Sequence, residues 1–418
     1  MKKLFFIASI LGMVVTACKK EAFNHQLYVP KVDDIDSIYF SAGATSLIAD
    51  GKAALQFVVE TYRTIQVTTP SGTKKDSLVF FDYKNLPEGT LKIRQVGGTD
   101  VGMSYSTSNT APGTVSFYAQ AGTVKSQTKT VTLRASQTLP AKLYVDVVFH
   151  VFELNPTDPT YDKLTYQPVS QALLEAAVAD ANKVFNNQLG NDPNGGSANI
   201  EFRLAAKNPA GVSLAKPGYN MITYDKSWRQ SPTFYSPSDF SNKVNATASY
   251  TWDPKKYLNI YVIPSGANNS LGDNTPKYQI VPSGGTAIPG IANIVADASA
   301  LPTNKNYETY GVGIPRTLLF PGTDRRIELS AFLGTYYGLL RTGVSSATTT
   351  DHCNDTRKYI STNQFQSLVK VGIDGIKFLA NNAMDDNRYP SLRNSFTLDQ
   401  VNRIRAVMAN CPNRAHGR

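Results

Sequence analysis

The chain is poor in the residues that metal and redox chemistry use most. Its 418 residues include three cysteines, four histidines and two tryptophans. Three cysteines exclude a disulfide-dense scaffold and a four-cysteine zinc framework. The histidines are His25, His150, His352 and His416, and no two are spaced to share one helix face. There is no Gly-x-Ser-x-Gly nucleophile elbow and no Gly-x-x-x-x-Gly-Lys-Ser/Thr phosphate loop. Ser283-Gly284-Gly285-Thr286 lacks the strand-to-helix context of such a loop and reads as a connection. Glycine (29) and proline (23) are near average usage, which excludes a collagen-like or low-complexity chain. Outside the N-terminus no stretch reaches the ~18–20 apolar residues of a membrane-spanning helix. Carboxylate pairs for glycoside hydrolysis leave no local signature. The adjacent Asp385 and Asp386 read as a solvated pair in a loop.

The N-terminus is different. Lys2 and Lys3 precede an apolar run from Leu4 to Val15, followed by Thr16-Ala17-Cys18. A basic start, about a dozen apolar residues and small residues before a cut describe a secretory signal peptide. The cysteine makes it resemble a bacterial lipoprotein signal, which implies cleavage after residue 17 and lipidation of Cys18. Several acyl chains on one cysteine anchor a protein stably. Lys19 after Cys18 implies the outer membrane, facing the periplasm or the outside. With Cys18 lipidated, Cys353 and Cys411 remain, and an oxidising compartment permits a disulfide between them. It would close a loop of nearly 60 residues and contribute ~3–4 kcal/mol in the chain-entropy model. The formal charge is +10. No Lys/Arg run exceeds two and no nucleic-acid motif is present, so the excess reads as a solvated basic surface beside a membrane.

Residues 18–32 form a polar tether. From residue 33 to 137 the chain reads as all-β. Short strands are expected at 37–40, 46–48, 54–59, 77–81, 90–93, 114–118 and 129–133, with Asp50-Gly51 as a hairpin turn between the second and third. About seven strands in about 100 residues suggest a β-sandwich, and Ile48-Ala49-Asp50-Gly51-Lys52-Ala53 resembles bacterial immunoglobulin-like domains. Such modules more often act as spacers than as catalysts. Ser136–Pro140 reads as a linker. Residues 138–418 then alternate helix and strand patterns. Residues 142–153 and 199–204 alternate like strands, and 257–263 reads as a third strand. Apolar residues from Leu173 to Leu189 recur at helical spacing behind Pro168. Further helices are expected over 327–340 and 398–408, the last with Thr397 and Gln400 as a capping box.

This second part resembles the pappalysin-type metzincin metalloproteases, including their bacterial lipoprotein members. The resemblance rests on Val147-Val148-Phe149-His150-Val151, Asp180–Phe185, Ile200–Ala205, Tyr257–Val262, Cys353-Asn354-Asp355-Thr356, Asn382-Ala383-Met384-Asp385 and Phe396–Gln400, in that order. It implies a multidomain chain, an immunoglobulin-like sandwich followed by an α/β metzincin-like domain, with Met384 in the Met-turn. The family's chemistry sits in His-Glu-x-x-His-x-x-Gly-x-x-His. Two histidines one turn apart and a third beyond a glycine hold zinc, and the glutamate activates its water. The matching segment here is Ala331–Arg341. The ligand positions hold Ala331, Thr335 and Arg341, and the glutamate position holds Phe332. Alanine and phenylalanine have no donor atom, threonine is a poor zinc ligand, and arginine stays protonated. Gly334, Gly338 and Leu339 keep the family's small and apolar positions.

These residues predict no catalytic residue, no metal ligand and no cofactor. His352 and Asp355 are the nearest candidates for a substitute metal site, and His150 reads as a structural histidine. Arg341 is placed to pair with Asp355 or Asp385. The resulting expectation is a non-catalytic lipoprotein of the cell envelope. Its remnant cleft would bind a peptide, protein or glycan, with Arg316, Arg325, Arg326 and Arg341 supplying charge and Tyr307, Tyr310, Tyr336 and Tyr337 supplying contact area. Two alternatives stay open: a zinc metallopeptidase with a displaced site, and a glycan binder in which the β-sandwich is the active module.

Overall fold

A computed structural model of the chain describes residues 31–111, 113–153, 167–223, 229–231, 234–235, 237–263, 274–301 and 310–414. The expected signal segment, Cys18, His25, Tyr307 and His416 lie outside the described residues.

The first region is built from eleven strands. They are β1 (Ser37–Ser41), β2 (Ser46–Ile48), β3 (Leu55–Gln56), β4 (Val58–Thr68), β5 (Lys74–Phe81), β6 (Leu91–Gln95), β7 (Asp100–Val101), β8 (Ser104–Tyr105), β9 (Thr114–Ala121), β10 (Val124–Lys125) and β11 (Lys129–Arg134). One sheet runs β1-β4-β5, and a larger one runs β2-β11-β9-β6-β7 with β10 on β9. Alternation puts Phe40, Leu47, Phe57, Phe117, Ala119 and Val131 into one shared core. The Asp50-Gly51 turn forms, with Gly51 at φ +80° and the Asp50 side chain accepting from the Lys52 and Ala53 amides. It does not make a hairpin. β2 pairs in parallel with β11, and β3 pairs with β8. The turn therefore carries the chain between sheets, and the partners β2 and β3 need lie far away in sequence.

The second region is α/β. Strand β12 (Leu143–Glu153) is central and buried on both faces from Val147 to Phe152. It pairs in parallel with β13 (Ile200–Leu204) at one end and β14 (Tyr219–Thr223) at the other. On its opposite side lies β15 (Tyr257–Ile263), followed by β16 (Gly311–Pro315), again parallel. Burial on both faces gives near-continuous apolar strands instead of alternating ones. Helix α1 (Gln171–Phe185) covers the sheet through Leu174, Ala177, Val178, Ala181, Val184 and Phe185. Ser170 caps it, accepting from the Leu173 amide. It stops before Leu189 because Asn187 turns left-handed at φ +51°, and Leu189 is exposed. Further helices among the described residues are α2 (Pro237–Ala246), α3 (Leu329–Tyr336) and α4 (Leu398–Asn410). α4 begins at the expected Thr397–Gln400 capping box.

The two regions are bonded to each other, backbone to backbone. The amides of Ile48 and Ala54 donate to the carbonyls of Pro193 (2.8 Å) and Asn191 (2.9 Å). Ser46 Oγ donates to Asn194 Oδ1 at 2.7 Å, and Arg357 Nε donates to the Gly43 carbonyl at 2.6 Å. Lys377 pairs with Glu60, and its amide donates to the Tyr39 hydroxyl at 2.8 Å. The expected linker is held too: Gln137 and Ser197 exchange two hydrogen bonds, both 2.8 Å. Leu398 of α4 packs against the strand-rich core. Backbone groups at β2 that its own sheet leaves unpaired find partners across the boundary, so the strand-rich region is fixed to its neighbour and does not hang from it as a free spacer. One cooperative calorimetric transition is expected for the whole chain. Two resolved transitions would contradict this joint.

Candidate functional site

The segment Ala331–Arg341 begins as helix α3 and is shorter than its pattern suggests. A tight 3-10 turn, Arg325–Glu328, precedes it. It ends in a Schellman motif: the Gly338 amide donates to the Thr335 carbonyl and the Leu339 amide to the Gly334 carbonyl, both at 2.9 Å. Gly338 has φ +85°, and a Cβ there would lie 2.8 Å from Val407. Glycine is therefore required by both backbone and packing.

The four positions that the resemblance equates with zinc ligands and catalytic glutamate are occupied by groups with other duties. Ala331 is buried in the core. Phe332 packs half-buried against the same core. Thr335 Oγ1 donates back to the Ala331 carbonyl, 3.1 Å away and one turn below. Arg341 lies past the turn with an exposed side chain. No imidazole, thiolate or carboxylate comes from any of them, so this donor set does not fit zinc. Among the described residues, no group of three or more His, Cys, Asp and Glu is arranged to hold a metal ion. His352 and Asp355 are not brought together on a common centre. His352, at φ +61°, faces Gly290 and Arg403, and burial followed by the Arg403 charge lowers its pKa. Asp355 Oδ2 accepts from the Asp399 amide at 3.0 Å and pairs with Arg134 at 3.4 Å.

Met384 forms the floor under α3 and is fully buried. A Cβ built on Gly334 would sit 2.9 Å from Met384 Sδ and 3.3 Å from Leu339 and Phe396. The turn that carries Met384 is held from below. Asn382 Oδ1 accepts from the Met384 amide at 2.9 Å, and Asn382 Nδ2 donates to Gln400 Oε1 at 2.7 Å.

Asp385 follows in the same turn and is buried, contrary to the solvated reading of Asp385-Asp386. It accepts from the Thr342 hydroxyl and from the Asn382 amide at 2.9 Å. Burial pushes its carboxyl up to about 7; those two donors pull it down, and Asp192 adds to the rise. Asp192 is likewise pushed up to about 6 by burial. Both carboxylates border a small cavity of about 50 Å³ between the two regions, which Asp355, Gly43 and Gln56 also line. No sequence signal marked the pairing of Asp192 with Asp385, because the two lie nearly 200 residues apart. Asp386 accepts from the Tyr359 hydroxyl at 2.7 Å and pairs with the buried Lys370 at 3.0 Å.

Several expected roles are corrected by their surroundings. The Arg341 ion pair is absent among the described residues, because Asp355 is taken by Arg134 and Asp385 by Thr342 and Asn382. The Cys353–Cys411 bridge is not formed. Both are buried free thiols, Cys411 packing with Ile288, Ile291 and Val407, and the Arg403 charge acts on each of them. Tyr310, Tyr336 and Tyr337 are core residues, not cleft surface. Arg316 is buried and bonded to Glu153 at 3.0 Å. Arg325 pairs with Glu328 and Arg326 with Asp180. His150 is the structural histidine its strand suggested. Its Nε2 faces Asn259 Oδ1 and its Nδ1 faces Asn220 Nδ2, both at 2.8 Å, and burial holds its pKa down at about 4.

Residues 241–409 match the family model described as Peptidase M43, pregnancy-associated plasma protein-A. Over that stretch the resemblance to the pappalysin-type metzincins is borne out. Mature mirolysin of Tannerella forsythia, in complex with a cleaved peptide, is similar in structure. The identity is 21%, with 64% of this chain and 91% of that chain covered and a TM-score of 0.41. A Tannerella forsythia promirolysin mutant is similar at 22% identity, with 65% and 82% covered and a TM-score of 0.42. No curated protein matches the chain.

Two outcomes follow from this geometry. Gly334→Ala inserts a methyl against Met384 and should cost about 1–3 kcal/mol, measured by denaturant unfolding; no loss would mean the contact is slack. Asp385 is protonated more readily folded than unfolded, so its contribution to stability is greatest near pH 4 and falls as pH rises toward 7. His150 acts in the opposite sense, losing stability as pH falls from about 6.5 to 4. The stability deficit of Asp385→Asn relative to wild type should therefore shrink between pH 5 and pH 8, with His150 common to both. A constant deficit would show that Asp385 does not titrate in this range.

Proposed function

We propose that this chain is a non-catalytic cell-envelope lipoprotein built on a metzincin-like fold, in which the former zinc helix serves as scaffold. The observation that carries the reading is the identity and engagement of Ala331, Phe332, Thr335 and Arg341. A peptidase of this type needs a Lewis acid and a carboxylate base beside it. None of these side chains supplies either. The strand-rich region, residues 33–137, is read as an immunoglobulin-like sandwich. Its bonded joint to residues 191–194, 357 and 377 suits a protein that presents one rigid surface. Lipidation of Cys18 would hold that surface at the outer membrane. The remnant cleft beyond α3 is read as a binding site for an extended peptide or protein segment. The exposed Arg341 favours a carboxylate on that segment. The charge expected from Arg316, Arg325 and Arg326 plays no part, since each is engaged in an ion pair.

The test is the zinc content of the purified chain, residues 19–418, by elemental analysis after dialysis. Less than about a tenth of an equivalent is expected for a site without a Lewis acid. Close to one equivalent, retained in an Ala331/Thr335/Arg341 triple-glycine variant, would establish a displaced site and overturn the reading. Cys18→Ala should release the full-length protein from the membrane fraction. Retention there would contradict the lipid anchor alone.

A further inference from the structure

The distal half of the β4–β5 ribbon is exposed on both faces. Its base lies in the sandwich, where Val58, Val59 and Thr61 are buried. Beyond Tyr62, among the described residues, the two strands pair in the sheet only with each other, and Asp34 and Asp36 reach Arg63 and Thr64. Register pairs Arg63 with Val79, Thr64 with Leu78, Ile65 with Ser77 and Val67 with Lys75. Alternation then places Ile65, Val67 and Val79 on one face, and Leu78 and Phe80 on the other. All five are exposed, Leu78 by 61% and Phe80 by 55%. Soluble surfaces carry single apolar residues freely, but a contiguous apolar element marks an interaction site. The distal end carries Lys74 and Lys75, both exposed.

The start of the described chain lies at the base of this ribbon. Asp34 pairs with Arg63 at 3.6 Å, the Asp36 amide donates to the Tyr62 carbonyl at 2.9 Å, and Asp36 Oδ2 accepts from the Thr64 amide at 2.6 Å. Cys18 precedes Lys31 by thirteen residues, a length that reaches about 45 Å when extended. The six residues Arg63–Thr68 span about 20 Å. An anchor on Cys18 would therefore leave the whole ribbon within reach of the same membrane.

We propose that the β4–β5 ribbon is a membrane-docking element that lies in the headgroup region of an anionic bilayer. Apolar side chains on both faces of a ribbon one strand-pair thick suit a fluid boundary that closes around them; a rigid protein partner covers one face. The two distal lysines supply attraction to anionic lipid. Together with a lipidated Cys18, the ribbon would fix the orientation of the protein on the bilayer, with tether and ribbon as two contacts. The inference rests on the envelope reading above for its setting, but the ribbon can be tested without the anchor.

The experiment is vesicle co-sedimentation of unlipidated chain 19–418, which keeps every described element. Vesicles of phosphatidylethanolamine with phosphatidylglycerol are compared with vesicles of phosphatidylcholine. Binding to the anionic vesicles is expected. Leu78→Asp/Phe80→Asp should lower the partition coefficient about tenfold or more, with an unchanged melting temperature because both side chains are exposed. Lys74→Glu/Lys75→Glu should abolish the preference for anionic vesicles. Failure of the wild-type chain to sediment, or equal binding by the Leu78/Phe80 variant, would overturn the proposal. So would sedimentation-velocity evidence of a dimer, without vesicles, that the same variant dissociates, since the occupant would then be a second copy. A negative result here leaves the Cys18 test untouched, and release of Cys18→Ala leaves the ribbon test untouched.

Discussion

The contact between Met384 and Gly334 is the constraint on which the centre of the α/β region depends. Helix α3 can approach the turn at 382–385 only where its facing residue has no side chain. At 2.9 Å from a would-be Cβ, the thioether sulfur leaves no room for one. The same closeness brings Phe396 and Leu339 against the helix, and Phe396 leads directly into the capping box of α4. Asn382 joins these parts, since its side chain holds both the Met384 amide and Gln400. Packing and buried hydrogen bonds hold this arrangement together. An apolar, well-filled contact of this kind needs no ion to persist.

Along Ala331–Arg341 the side chains are mostly committed to packing and to local hydrogen bonds. Thr335 closes a hydrogen bond within its own helix, and Ala331 adds to the core. Only Arg341, beyond the glycine turn, keeps its side chain at the surface. Charge in this part of the molecule is otherwise consumed locally: Arg316 by Glu153, Lys370 by Asp386, Arg393 by Glu328. Asp192 and Asp385 are buried beside the joint of the two regions. Burial raises both, so the joint is electrostatically easiest to maintain when they carry protons.

Much of the fold was legible from local pattern. β12, β13, β15 and α1 declared themselves through apolar spacing, and α4 through Thr397 and Gln400. Gly338 was marked by its place in the degenerate motif, and its positive φ bears that out. The degeneracy itself was legible because the chemistry of alanine, phenylalanine and arginine does not depend on geometry. What stayed hidden depends on contacts distant in sequence. Asp50-Gly51 has every local mark of a hairpin, yet β2 and β3 pair with β11 and β8. The tyrosines at 310, 336 and 337 are amphipathic, and only packing decides that they are core. The pairing of the cysteines could not be read from redox compartment alone, and the bonds from β2 to residues 191–194 had no sequence signal.

If packing alone supports helix α3, its stability must be indifferent to metal. The direct measurement is thermal unfolding of the purified chain with a strong chelator and with excess zinc. Equal melting temperatures in both are predicted. A saturable rise with zinc, growing with the logarithm of its concentration as binding to the folded state requires, would contradict the account.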